Sequence, residues 1–257
     1  FSFIAYEHDE YLNKYFSSLV DSRVIWGGDQ TIELFKSFKT SSNCIDLVFP
    51  NKVSTSIISS NWLISSSQFE LKNKADLYSR DIGLFSQMAC SSPLSLILLK
   101  DSEQNYSHAL FDFFENCDNL LNKKDWLSET HSLSNFKKSI EICMDFPQLF
   151  CLFKGQNLSV FFVKNDQRQE VYNYKPENCC LFVYEVSSIN EAASLLLKNN
   201  QTIVCIGIEN ELKNQLARQA ILTGTNRLVN VGNALNMNIY WDGYDIVSFL
   251  SKMISNI

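Results

Sequence analysis

Residues 80–93 read Arg80-Asp81-Ile82-Gly83-Leu84-Phe85-Ser86-Gln87-Met88-Ala89-Cys90-Ser91-Ser92-Pro93. Apolar residues recur along this stretch at steps of three to five, near the helical period, which predicts an amphipathic helix. Ser91 and Ser92 favour turns, and Pro93 has no backbone donor and stops a helix. The apolar run 94–99 after it predicts a buried strand. Cys90 is therefore expected at a junction between a helix and a strand.

This position makes Cys90 a candidate nucleophile. Backbone N–H groups at such a junction are not used by secondary structure, and they can stabilise a thiolate or an acyl oxyanion. The alternative is that Cys90 is a small buried hydrophobe, the commonest state of a free cysteine. Because the chain has eight cysteines, the residues alone leave both interpretations open.

Composition indicates a globular protein and excludes some functions. The chain has 257 residues, 46% of them hydrophobic and 13% aromatic, which is enough for a substantial core. The net charge of −6 argues against a general nucleic-acid-binding protein, which usually has a basic face. No apolar run of about 18 residues occurs, so no membrane span is expected.

The cysteines are scattered without a CxxC motif, so no metal site is predicted. Their spacing is typical of reduced thiols, and we expect a cytoplasmic protein. The chain begins Phe1-Ser2-Phe3 without an initiator methionine or the features of a signal peptide. We therefore expect it to start inside a fold, as a fragment of a longer protein.

The first fifty residues predict alternating strands and helices. The expected strands are 1–6, 23–26 and 44–49, and the expected helices are 8–19 and one that starts at an N-cap, Asp29. This order predicts parallel strands with right-handed crossovers. A complete doubly wound nucleotide-binding domain needs about five or six strands, so this segment is interpreted as the last part of one.

Gly27 and Gly28 lie between the second strand and the next helix. Two glycines there allow the backbone to approach a nucleotide phosphate or a nicotinamide closely. An ordinary turn between a strand and a helix is the alternative, and the pair alone does not decide between them.

Further α/β elements are expected after residue 50. A serine-rich polar stretch, 59–76, is expected to be a segment that links the neighbouring elements or covers them. The expected strands are 53–58, a hairpin within 150–163, 180–186, 202–208 and 226–231. The expected helices are 106–121, 134–144, 191–197, 211–222 and one that begins after 240–245 and runs to Ile257.

Residues 85–93 resemble the nucleophile segment of the acyl-CoA reductases of bacterial bioluminescence, the long-chain fatty acid reductases. That family is a branch of the aldehyde dehydrogenase superfamily. Trp241-Asp242-Gly243-Tyr244-Asp245 resembles the C-terminal signature of the same family. The resemblance implies an aldehyde-dehydrogenase-like α/β fold, with a catalytic domain and the last strands of a Rossmann-type nucleotide domain. Its implied domains are 1–50 (nucleotide-binding part), 51–225 (catalytic) and 226–257 (strand and helix tail).

The resemblance also implies the chemistry. Cys90 would accept the acyl group with its own backbone amide as oxyanion donor, and Gly27 and Gly28 would approach NADPH. The product would be a fatty aldehyde made from a long-chain acyl-CoA or from an acylated synthetase subunit. The implied partners are the acyl-protein synthetase and acyl-transferase of a reductase complex, and a homo-oligomer is expected.

The sequence departs from the superfamily at two points. Where aldehyde dehydrogenases carry a glutamate that activates water, this chain has Val48, which favours reduction over thioester hydrolysis; the alternative is a simple buried strand residue. The first part of the nucleotide domain, with its adenosine contacts and an oxyanion-hole asparagine, is not in the chain. If the chain is complete, we expect weak cofactor binding and little activity.

Two other functions stay open. The chain could be a catalytically incomplete fragment or an assembly subunit of a reductase complex. It could also be a cysteine acyltransferase or thioesterase, which needs a histidine or carboxylate beside Cys90. None of His8, His108 and His131 is close to Cys90 in sequence. Asp242 and Asp245 could be a metal or acid–base pair, but a turn and capping role is favoured.

Overall fold

The computed structural model describes residues 2–124 and 126–252, which form two compact units. Unit 1 comprises Phe1–Asn51 and Met237–Ile257, and unit 2 comprises Lys52–Asn236. The first break lies between residues 51 and 52, one residue from the predicted boundary. The second lies between 236 and 237 rather than 225 and 226, because the segment after 225 adds a strand to the sheet of unit 2. The roles assigned to the domains stay predictions.

The N-terminal part of unit 1 is a small parallel α/β segment. Its elements are α1 (Glu10–Leu19), β1 (Ser22–Trp26), α2 (Asp29–Ser37) and β2 (Ile45–Phe49). The two strands pair in parallel, with Val24 opposite Leu47, as predicted. A cross-strand ion pair between Arg23 and Asp46, 2.5 Å long, reinforces this pairing.

Two predictions about unit 1 are wrong. The first concerns the strand at 1–6, because residues 2–9 form no strand and pair with no other segment that the structure describes. The second concerns Asp29, which is the first residue of α2, whereas Gly28 is its N-cap. The carbonyl of Gly28 already accepts the first helical hydrogen bond, from the amide of Ile32 (3.1 Å), and this places the cap one residue earlier.

Unit 2 is a mixed sheet with helices on both faces, as its alternating pattern predicts. Its elements are β3 (Val53–Ser59), α3 (Ser60–Ser65), α4 (Gln68–Gly83), β4 (Pro93–Leu99), α5 (Ser107–Leu121), α6 (His131–Asp145), β5 (Phe150–Lys154), β6 (Ser159–Val163), α7 (Arg168–Val171), β7 (Cys180–Val186), α8 (Ile189–Ser194), β8 (Asn200–Ile206), α9 (Asn210–Ala220) and β9 (Arg227–Asn230). Within the described residues the strands form a seven-stranded sheet in the order β5-β6-β7-β4-β3-β8-β9. Only the edge pair β5–β6 is antiparallel.

The two faces of this sheet bury separate hydrophobic clusters. Successive side chains of a strand point to opposite faces. Ile58, Leu96 and Leu98 therefore pack on α4 and α5, while Ile57 and Ile97 pack on α8 and α9. The strands are buried on both faces and start at a common edge. That edge carries the loop with Cys90.

Two further predictions are wrong in unit 2. Residues 59–76 are not a linker but form α3 and the first half of α4. Ser59 caps α3, and Ser67 caps α4 in a capping box with Glu70, so the serines that suggested a loop are helix starts. The predicted helix that runs into Cys90 ends at Gly83, because Phe85 and Ser86 after it have positive φ and cannot continue a right-handed helix. Position 83 has no room for a side chain, since a Cβ there would lie 2.5 Å from Leu121 of α5.

The C-terminal segment belongs to unit 1. It comprises β10 (Tyr240–Trp241), β11 (Tyr244–Asp245) and α10 (Ile246–Phe249), and Trp241 packs with Leu47 and Phe49. Asp245 caps α10 by accepting from the amide of Ser248, which confirms the capping role. The predicted helix to Ile257 is too long, because α10 ends at Phe249 and residues 251–252 are not helical; the rest of the prediction, 253–257, lies outside the described residues. None of the helices in the described part of the chain is long and apolar enough to span a membrane.

Candidate active site

The loop between α4 and β4 begins with an unusual backbone conformation. Phe85, Ser86 and Gln87 all have positive φ, at 57°, 51° and 66°. Residues other than glycine adopt this left-handed region at an energetic cost and stay there only where surrounding contacts impose it. The rest of the loop therefore depends on specific tertiary contacts.

Gln87 supplies those contacts. Its side chain is buried, and its amide nitrogen donates to the carbonyl of Pro93 (2.8 Å) and to the carbonyl of Cys180 (3.1 Å). Pro93 and Cys180 are the first residues of β4 and β7, which are neighbours in the sheet. One side chain thus fixes the loop to the starts of two strands.

Cys90 lies in this loop, three residues before β4, and its side chain is half-buried. Its carbonyl accepts a hydrogen bond from the hydroxyl of Ser54 in β3 (2.7 Å), and that hydroxyl accepts from the amide of Thr202 in β8 (3.2 Å). The carbonyl of Cys90 is therefore held in one orientation by the neighbouring strands β3 and β8.

The backbone N–H of Cys90 is not used in this arrangement. Within residues 2–124 and 126–252, no backbone or side-chain acceptor takes it, although the amides of Met88 and Ser92 bond within the loop. The structure thus leaves the amide of Cys90 without a hydrogen-bond partner in the described residues, although the helix ends earlier than expected; its role as an oxyanion donor stays a prediction. Such a donor can stabilise an oxyanion that develops on a carbonyl bound to the sulfur.

The loop around Cys90 has exposed apolar side chains and a buried polar one. Phe85 and Met88 are 67% and 73% exposed. Ser92 is fully buried, and no partner for its hydroxyl lies in the described part of the chain. Exposed apolar side chains beside a half-buried thiol can contact a hydrophobic acyl group.

The other thiols of unit 2 differ from Cys90. Four are buried: Cys117, Cys179, Cys180 and Cys205. Burial raises the pKa of all four, to about 12 for Cys180 and about 11 for Cys205, so they stay neutral and unreactive at ordinary pH. Cys143 and Cys151 are exposed, so exposure alone does not distinguish Cys90.

In the glycine turn of unit 1, Gly27 is close to neighbouring atoms and Gly28 has open space beside it. The amide of Gly27 donates to the carbonyl of Phe49 (3.3 Å), and a Cβ on Gly27 would lie 3.0 Å from Thr31. A Cβ on Gly28 would meet nothing within 4 Å. The space next to Gly28 is therefore open. A phosphate is disfavoured there, because Asp29 places a carboxylate in the first turn of α2.

None of the histidines hydrogen-bonds to Cys90 in the described structure. His108 is exposed and contacts Asp112 at 3.1 Å. His131 is buried, which lowers its pKa, and its ring contacts the carbonyl of Asn157 at 3.4 Å. His8 is exposed. The base that a cysteine hydrolase would need is therefore not found among them.

Two residues of the site could not be found by sequence reasoning. Gln87 and Ser54 act through contacts 93 and 36 residues away in the chain. Gln87 lies in the segment that resembles the nucleophile segment of the family, but its partner Cys180, like the contact of Ser54, is identified only by the folded structure. No cluster of three or more histidine, cysteine or acidic residues suited to a metal occurs in the described parts of the chain.

The comparisons with known proteins agree with this architecture. The model of the family described as Acyl-CoA reductase (LuxC) matches residues 3–253. Comparison with curated proteins found no match.

Solved aldehyde dehydrogenases share the fold. An NAD-dependent aldehyde dehydrogenase from Sinorhizobium meliloti has a TM-score of 0.58 at 13% identity, covering 85% of this chain and 45% of its own. Indole-3-acetaldehyde dehydrogenase of P. syringae, in complex with NAD+ and IAA, has a TM-score of 0.58 at 11% identity, covering 89% and 47%. The chain thus has an aldehyde-dehydrogenase-like fold and spans about half the length of these proteins.

Proposed function

The chain belongs to the acyl-CoA reductase family, and from this premise we propose that it takes part in reducing a long-chain acyl thioester to a fatty aldehyde with NADPH. The observation that carries the proposal is the unused backbone N–H of Cys90 beside its half-buried thiol. Together they provide a nucleophile and an oxyanion donor on one residue, in a loop that Gln87 and Ser54 hold in place.

The chemistry assigned to Cys90 has two stages. In the first, its thiol loses a proton to solvent, and the thiolate attacks the acyl carbonyl. The thiol of the carrier leaves with a proton, so the acyl group becomes a thioester of Cys90. The Cys90 amide donates to the oxygen of the tetrahedral intermediate. Loss of one such donor typically costs about 10²–10³ in rate.

The second stage returns the thiol to its starting state. A reduced nicotinamide, when bound, supplies a hydride to the carbonyl carbon of the Cys90 thioester. The resulting hemithioacetal oxyanion collapses, Cys90 leaves as the thiolate, and the aldehyde is released. We assign Gly28, which has open space beside it, and the adjacent Gly27 as the residues that the nicotinamide ring approaches. The preference for NADPH over NADH comes only from the family resemblance.

Val48 supports the direction of the reaction through the family resemblance. It is a half-buried residue of β2, between the buried Leu47 and Phe49. Aldehyde dehydrogenases, which this segment resembles, carry a glutamate here that activates water for hydrolysis of the thioester, and Val48 has no group that could do so.

The proposal includes the acyl donor and the partner proteins of the enzyme. We assign the acyl donor to acyl-CoA or to an acylated synthetase subunit, with an acyl-transferase as a further partner. Homo-oligomer formation, a cytoplasmic location and a role for the aldehyde in luminescence belong to the same proposal.

Acyl transfer to Cys90 can be measured by the intact mass of the chain after incubation with a long-chain acyl-CoA. We expect one acyl addition in the wild type and none in Cys90→Ser. Cys143→Ser is the matched control, because it removes an exposed thiol of unit 2 that lies outside the loop. Equal labelling of Cys90→Ser and the wild type would contradict the assignment.

The reduction step is then tested by adding NADPH to the acylated chain. We expect the acyl mass to disappear and the aldehyde to be recovered in equal amount. A label that stays while the thioester remains intact would support the alternative of a catalytically incomplete fragment.

A further inference from the structure

A small cavity in unit 2 is not used by the chemistry proposed for Cys90. Its volume is about 130 Å³. Thr55 of β3 and Ser95 of β4 form its floor, on the sheet face that packs on α8 and α9, and residues 172–176 and 195–199 form its sides. Pockets for drug-sized ligands measure roughly 300–1,000 Å³. The cavity therefore suits one functional group rather than a nucleotide or an acyl chain.

Arg168 brings an incompletely satisfied guanidinium to this cavity. Its terminal nitrogens donate to a carboxylate oxygen of Glu191 (3.1 Å) and to the backbone carbonyl of Glu185 (2.6 Å). Its Nε is buried, and no acceptor for it occurs in residues 2–124 or 126–252. A buried N–H without an acceptor is unfavourable, and the positive charge of the guanidinium beside the cavity favours an anion there.

Lys175 and Tyr184 line the same cavity. Lys175 is half-buried, and the described part of the chain offers its ammonium no carboxylate within ion-pair distance. Burial raises the pKa of Tyr184, with an opposing effect from Arg168, so its hydroxyl stays protonated and can donate. Cationic and neutral donors thus converge on one small space.

The charge balance of the lining favours an anion. Arg168 and Lys175 contribute two positive charges. The carboxylate of Glu191 offsets one of them, and it is also engaged by the amide and hydroxyl of Ser187. The cavity therefore keeps a positive excess next to the ammonium of Lys175 and the hydroxyl of Tyr184.

We propose that this cavity binds a single phosphate group, held by Arg168, Lys175 and Tyr184. A phosphate monoester has several acceptor oxygens on one centre, so it can meet the ammonium of Lys175, the hydroxyl of Tyr184 and the charge of Arg168 together, which the two oxygens of a carboxylate do less well. The proposal rests on the geometry of unit 2 and stands whether or not Cys90 accepts an acyl group.

Binding is tested by isothermal titration calorimetry, in which the full chain is titrated with inorganic phosphate at constant ionic strength. We expect saturable binding to the wild type, about tenfold weaker binding to Lys175→Gln and several-fold weaker binding to Tyr184→Phe. Lys175→Arg should retain affinity because it keeps the charge. Lys72→Gln is the matched control, since Lys72 is an exposed lysine of α4 outside the cavity, and it should bind like the wild type.

The source of the phosphate is distinguished with phosphopantetheine and pantetheine. Tighter binding of phosphopantetheine than of inorganic phosphate, with no binding of pantetheine, would assign the site to the phosphate of a thioester carrier. Binding of inorganic phosphate alone would assign it to the free ion. No saturable binding of either phosphate probe, equal affinity for acetate, or unchanged affinity in Lys175→Gln would overturn the proposal.

Discussion

Two segments of unit 2 share one backbone feature and differ in what they do to their thiols. Residues 85–87 and residues 177–179 are each three consecutive non-glycine residues with positive φ, and they precede the neighbouring strands β4 and β7. After 85–87, five residues separate the run from β4, and Cys90 lies half-buried among them. After 177–179 the strand starts at once, and Cys179 and Cys180 are buried in the core.

This difference explains why one thiol of this sheet edge is available for chemistry. The direct entry into β7 places Cys179 and Cys180 in apolar surroundings, which raise the pKa of both. The longer entry into β4 leaves the Cys90 amide unused and its thiol within reach of solvent. Gln87 connects the two segments, since its amide reaches the carbonyl of Cys180. Loop length, rather than residue type, separates the reactive position from the inert ones.

The largest expected effect is on thiol reactivity. At pH 8, iodoacetamide should modify Cys90 at least ~1,000-fold faster than Cys180, because a pKa of about 12 leaves only about one Cys180 in 10⁴ as thiolate. Between pH 7 and 9 the slow reaction at Cys180 should rise about tenfold per unit. Peptide mass spectrometry over time measures both rates. In urea the rates should converge, and rates within tenfold of each other in the native chain would contradict the comparison.

The same substitution should have unequal costs in the two segments. Cys179→Asp places a carboxylate in a fully buried position and should destabilise unit 2 by about 3 kcal/mol or more. Cys90→Asp, in the half-buried loop, should change the free energy of unfolding by less than about 1 kcal/mol. Urea unfolding followed by circular dichroism measures both values. Equal losses would show that the two loops do not differ in burial as described.

Gln87→Ala should weaken the connection between the two segments. It removes two hydrogen bonds from buried positions and should lower the free energy of unfolding by about 2–3 kcal/mol. Modification of Cys180 should then become faster, because the start of β7 loses a contact. Gln104→Ala, at an exposed residue, is the control and should leave both quantities unchanged. If Gln87→Ala were as stable as the wild type, the hydrogen bonds of the Gln87 side chain would not be what keeps residues 85–87 in the left-handed conformation.

The smallest expected effect comes from Ser54→Ala. This change removes the hydroxyl that donates to the carbonyl of Cys90 and accepts from the amide of Thr202, and it should cost about 1–2 kcal/mol of stability. Iodoacetamide modification of Cys90 should change a few-fold, while Cys180 should react as before. A change at Cys180 as large as that at Cys90 would indicate a general loosening of the sheet edge.

Much of the sheet can be predicted from the sequence. Strands β2, β4 and β7 are short, mostly apolar runs, because parallel strands buried on both faces favour apolar side chains. Strands β3 and β8 each combine an apolar segment with buried polar side chains such as Ser56 and Thr202. These predictions are confirmed to within two residues. The antiparallel hairpin is also predictable, since Gly155 marks its turn.

The wrong predictions have physical causes. The serines of 59–76 indicate a loop by composition, but Ser59 and Ser67 are N-caps, and a serine becomes a cap only when the residues after it form a helix. The end of α4 is not predictable locally, because Phe85 carries no sign of a left-handed conformation. That conformation is imposed by long-range bonds of Gln87 that local patterns do not contain.

The candidate site is predictable in part. The sequence places Cys90 near a strand start with unused donors, and the structure agrees on that point. Its catalytic role, and the cofactor roles of Gly27 and Gly28, stay predictions. The positive cavity at Arg168 and Lys175 has no signal in the sequence, because its walls come from segments more than a hundred residues apart.

The central claim is that Cys90, among three solvent-accessible thiols of unit 2, is the one that accepts an acyl group. Peptide mass spectrometry of the native chain after brief reaction with a long-chain acyl-CoA locates the adduct directly. We expect the acyl mass on the peptide that contains Cys90, with Cys143 and Cys151 unmodified although they are more exposed. An adduct on Cys143 or Cys151, or a folded chain that takes up no acyl group, would contradict the claim.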